Sequence, residues 1–114
     1  MEVTREIVLP TTRADAWDAL TDPDRLEEWF ANEVSLDLRE GGAAVFRWDD
    51  GEVRRGAVET VREEELLVLR FEDDGVVELT LREAAGGTAV HVRETAPEWS
   101  TALEISALAT WAHA

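Results

Sequence analysis

The spacing of apolar and polar positions changes character as the chain proceeds. In "VTREIVLP", Val3, Arg5, Ile7 and Leu9 alternate with Thr4, Glu6 and Val8, the period of a strand, and Pro10 closes the run. The next segment, "TTRADAWDALTDP", places Ala16, Trp17 and Leu20 at helical spacing behind Thr12, with Asp15 three residues beyond it, which predicts a capped helix start. Asp22-Pro23 ends that helix and opens a second over residues 23 to 30, because Asp caps well and proline suits the first helical position. Leu26, Trp29 and Phe30 share one face of it.

From residue 33 to 95 the period is two. "EVSLDLR" predicts a half-buried strand with Val34, Leu36 and Leu38 inward. Turn signals follow at Gly41-Gly42, Asp49-Asp50-Gly51, Asp73-Asp74-Gly75 and Gly86-Gly87. Connections this short predict an antiparallel meander. Leu67, Leu69 and Phe71, Val77, Leu79 and Leu81, and Val90 and Val92 fall on a core face. Arg70, Glu72, Glu78, Thr80, Arg82, His91 and Arg93 fall on a wet one. Gly56 predicts a bend or bulge, since Val58 and Val61 cannot both face the core under strict alternation. Pro97 opens a final helix expected over residues 97 to 112.

The chain has 114 residues, which suits a single domain over 1–114, with no repeat or linker. It carries no cysteine, lysine, tyrosine or glutamine, and all 11 bases are arginine. Thiol, Schiff-base and Cys-zinc chemistries are therefore excluded, and two histidines 22 positions apart, His91 and His113, give no metal-ligand spacing. No cofactor is expected. The net charge of -15 disfavours nucleic acid and anionic membranes as partners. No secretory signal or membrane span is evident, so the expected location is the cytoplasm.

Strand, two short helices, six antiparallel strands and a long helix make the order of an α+β helix-grip fold, β-α-α-β6-α. The segments "REIVLPTTRADAWDALTDPDRLEEWF", "GAVETV" and "EW" resemble the proteins related to the C-terminal domain of the Hsp90 ATPase activator Aha1, in the START and Bet v 1-like superfamily. That resemblance implies a curved sheet gripping the C-terminal helix, with a cavity between them that many relatives use for apolar small molecules. Only "ETAPEW" links the last strand to the helix, shorter than in typical relatives, which predicts a reduced or open-ended cavity.

The candidate ligand-binding residues are Trp29, Phe30, Phe46, Trp48, Phe71, Leu79, Leu81, Val92, Glu94, Trp99, Leu103 and Ser106. In a domain of this size the apolar ones read first as ordinary core and second as the lining of a pocket. Glu94 shares the parity of Val90 and Val92. If inward, it needs an arginine partner or a cavity mouth where it holds a polar ligand group; if the sheet ends there, it is wet. Arg54 and Arg55 are expected to pair with neighbouring acids such as Glu52 or Glu59.

The function expected first is binding of a small hydrophobic or aromatic ligand by a monomer or homodimer, without catalysis. The alternative is a stress- or chaperone-associated interaction module whose acidic face meets a basic protein. A cyclase-like or hydrolase-like enzyme ranks third, with Glu94 as its one acid.

Overall fold

The computed structural model describes residues 2–72 and 74–95. The expected helix over 97 to 112, and with it Trp99, Leu103 and Ser106, lies outside the described residues. The element order is β1 (Glu2–Leu9), α1 (Arg13–Thr21), α2 (Pro23–Trp29), β2 (Glu33–Leu36), β3 (Ala43–Arg47), β4 (Val53–Arg62), β5 (Leu66–Phe71), β6 (Val76–Ala84) and β7 (Gly87–Thr95). All seven strands form one antiparallel sheet in the order β1-β7-β6-β5-β4-β3-β2. The meander accounts for β2 to β7. The first strand joins it by pairing with the last, Leu9 opposite Thr88 and Glu2 opposite Thr95.

Local chemistry sets the helix ends. The Thr12 hydroxyl accepts from the Asp15 amide at 3.2 Å, capping α1. Asp22 serves both helices: its amide donates to the Asp18 carbonyl, and its carboxylate accepts from the Asp24 amide at 2.9 Å. One residue thus closes α1 and caps α2, which forces the tight corner between them. Ala16, Trp17, Ala19 and Leu20 of α1 and Leu26 of α2 are buried. α1 packs over β6 and β7 and α2 against β2, so the helix pair spans the concave face of the sheet.

Two strand expectations need correction. β2 ends at Leu36 rather than at Arg39: the Asp37 amide makes one further bond to the Ala43 carbonyl, and the chain then turns, with the Arg39 amide donating to the Asp37 carbonyl and the Gly42 amide to the Arg39 carbonyl; Leu38 is an exposed loop residue and not core. The irregularity in β4 falls at Glu59, not at Gly56. Val58 pairs with Leu69 and Thr60 with Val68, so Glu59 is the extra residue, and the shift lets Val58 be buried while Val61 is half-buried. Gly56 has a different cause: a Cβ there would collide with the Arg70 carbonyl oxygen and lie 2.9 Å from Phe71 Cδ1. The convex face carries the expected charge pairs, among them Arg70–Glu59 at 3.2 Å, Arg82–Glu6 at 3.1 Å and Arg93–Glu2 at 3.3 Å. His91 lies on β7 facing Thr80 and Glu6 in register, as alternation predicts.

Candidate functional site

The aromatic side chains converge where α2 meets the sheet. Trp29 is held by its indole N–H donating to the Ala19 carbonyl at 2.8 Å, and Trp48 by its indole N–H donating to the Phe30 carbonyl at 2.8 Å. The corner after α2 is fastened further by the Glu27 carboxylate, which accepts from the Val34 amide, and by the Asn32 side-chain Oδ1, which accepts from the Asp49 amide. Phe30 therefore stands between Phe46 and Trp48, edge-on to both at 5.3 and 5.4 Å between centroids. Phe46 continues the chain of rings to Phe71 at 6.1 Å.

Between these rings lies an apolar cavity of about 30 Å³. Trp29, Phe30, Phe46, Phe71 and Leu79, five of the candidate residues, line it. Sequence reasoning left out Leu20 and Leu26 from the helices and Leu36, Leu67, Leu69 and Val77 from the sheet, which complete the described lining. The alternation that put these residues inward was visible; which inward residues share one void depends on the curl. Trp48, Leu81, Val92 and Glu94 sit on the same face without lining that void.

Among the described residues the charged feature of the concave face is an ion pair. Arg54 Nη1 donates to Glu94 Oε1 at 3.0 Å, with the two side chains 4% and 0% exposed. This overturns the pairing of Arg54 with Glu52 or Glu59. Arg54 has the parity of buried Val58 and points inward, while Glu59 takes Arg70 on the other face. The wet alternative for Glu94 fails as well, since the strand runs on to Thr95. The guanidinium carbon lies 3.9 Å from the centroid of the Phe71 ring, a cation–π contact worth about 2 kcal/mol where water is excluded. Because β5 and β6 intervene, the pair crosses three strand spacings, about 14 Å in a flat sheet. It is a strut across the curl.

A second ion pair ties the helices together. Arg25 donates to Asp15 Oδ1 at 2.9 Å and the Thr11 hydroxyl to Asp15 Oδ2 at 2.9 Å. The Arg25 bond foremost, and then the Thr11 hydroxyl, hold the Asp15 carboxyl below the ordinary carboxylate range against a small opposing effect of burial. Among the described residues no cluster of His, Asp and Glu is suited to a metal ion, and no helix is long and apolar enough to cross a membrane.

A curled antiparallel sheet with helices laid over an apolar hollow on its concave side is the α+β helix-grip architecture. Comparison with known proteins gives the family: the model of the Activator of Hsp90 ATPase homolog 1-like protein family matches residues 10–112, and the chain belongs to that family. None of the curated proteins matches in sequence. Solved structures share the fold at low identity. The AHSA1-like protein from Aeromonas hydrophila is 22% identical with a TM-score of 0.77, over 97% of this chain and 84% of that one. The Aha1 dimer from Colwellia psychrerythraea is 17% identical with a TM-score of 0.76, over 99% and 89%. DynU16, a protein of the dynemicin biosynthetic locus, is 23% identical with a TM-score of 0.77, over 96% of this chain and 42% of that one.

Proposed function

We propose that this chain is a binding protein for a small apolar or aromatic molecule, held on the concave face between the sheet and α2, and that it performs no chemistry on it. The observation that carries this is the convergence of Trp29, Phe30, Phe46 and Phe71 on one cavity whose described lining is apolar. A void of about 30 Å³ holds little more than a water, whereas ligand pockets run from roughly 300 Å³. Entry therefore needs side chains to swing aside. Trp29 and Phe30 are the half-buried members of the lining at the end of α2, a helix of seven residues, and are the natural pair to move.

The test is a ¹H–¹⁵N chemical-shift titration of the full chain with naphthalene, together with native mass spectrometry of the protein taken from its own host. Naphthalene should perturb the amides around Phe46, Phe71 and Leu79, and Leu79→Trp, which fills the void, should abolish the effect. Unmoved amides together with an empty native protein would sink the reading without recourse to any variant.

A second reading, docking to a basic protein, draws on the charge of -15 and on where it collects. The strand order brings the β3–β4 and β5–β6 turns, with Asp49, Asp50, Glu52, Glu72 and Asp74, to the same end of the sheet. Such a field speeds encounter with a cationic partner and fades with salt.

A further inference from the structure

We propose that the buried Arg54–Glu94 pair is the polar recognition element of the concave face, and that it selects an uncharged ligand bearing a hydroxyl group. This rests on the ligand-binding reading above and adds the chemical class to it. The guanidinium lies on Phe71, which lines the cavity. Phe46, the register partner of Arg54, and Val77, the register partner of Glu94, also line it. Each charge is thus flanked by a lining residue on the neighbouring strand, and a ligand that widens the cavity past Phe71 reaches the pair.

The charges decide what that ligand can be. A buried ion pair is a poor way to fill space, since apolar residues of similar volume usually serve stability as well or better. As a recognition element it has a specific property: its charges cancel. An anion seated on Arg54 would leave one net negative charge out of water, and an ammonium on Glu94 one net positive charge, both heavily penalised. The overall charge of -15 adds to the case against an anion. A hydroxyl brings no charge, and its single oxygen accepts from the guanidinium while its hydrogen is donated to the carboxylate. A ketone makes one of those bonds and a hydrocarbon neither.

The full chain is titrated at neutral pH with 2-naphthol, naphthalene, 2-naphthoate and 2-naphthylmethylammonium, followed by calorimetry and amide shifts. Hydrogen bonds to charged groups predict that 2-naphthol binds about 10- to 100-fold more tightly than naphthalene, with the two charged probes weakest. In the double variant Arg54→Met/Glu94→Leu, which removes both charges of the pair together, the ratio of 2-naphthol to naphthalene affinity should fall to about one, whatever the change in naphthalene binding itself. Equal binding of 2-naphthol and naphthalene by the native chain, tighter binding of 2-naphthoate, or a preference that survives in the double variant would each overturn the proposal while leaving apolar binding intact. If no probe binds and the native protein is empty, the ligand-binding reading falls and this inference falls with it.

Discussion

Arg54 occupies surroundings opposite to those usual for an arginine: buried, stacked on Phe71 and bonded to a carboxylate three strands away. Removing one partner strands the other charge, so Arg54→Met or Glu94→Leu alone should each lower unfolding free energy by about 3–5 kcal/mol. The double substitution should cost less than either, because neither charge remains to be desolvated. Urea denaturation of the four proteins checks this; losses that simply add would show the two residues to be independent. The inward parity of Glu94 was legible from Val90 and Val92, whereas that of Arg54 was hidden by the bend expected at Gly56, between it and Val58. Their partnership was not legible either, since residues 40 positions apart meet only when the sheet between them curls.

Among the elements, the α1–α2 corner is the most local in origin. Thr12, Asp22 and Pro23 act within a few residues of themselves, so both helices could be read from the chain before any tertiary contact was known. What joins the helices afterwards is Asp15, whose carboxyl is held below its ordinary range by Arg25 and Thr11. A depressed folded-state value means stability that is present above the unfolded carboxylate range, near pH 4, and lost as pH falls through the lower folded value. Asp15→Asn should therefore be slightly less stable than the parent at neutral pH, with the difference closing in acid; thermal melts from pH 7 to pH 2 follow it. A gap that stays constant with pH would mean that the ionisation of Asp15 contributes nothing. β2 and β4 show where period-two reading stops. Leu38 keeps the alternation of "EVSLDLR" after the ladder has ended, and the extra residue Glu59 changes register without any glycine or proline to announce it.

At the scale of the whole molecule the dominant quantity is the charge of -15. Ion pairs such as Arg47–Glu33 and Arg70–Glu59 take up many of the arginines, yet exposed pairs contribute only about 0.2–1 kcal/mol each, while the remaining carboxylates repel one another. Raising NaCl from about 0.1 to 1 M shortens the screening length from about 10 to 3 Å, so Tm should rise by several degrees in calorimetry. A fall would show that the surface pairs outweigh the repulsion.

Periodicity, caps and turn residues are properties of neighbours along the chain, and they determined the two helices, the meander and the inward face of β5, β6 and β7. They also carried the resemblance to the Activator of Hsp90 ATPase homolog 1-like family, which the match over residues 10–112 bears out. Tertiary structure alone decided that β1 closes against β7, that the aromatic residues border so small a hollow, and that Arg54 reaches Glu94. Each of these depends on how far the sheet curls, and curl accumulates from the twist between many strand pairs, none of which is encoded at a single position.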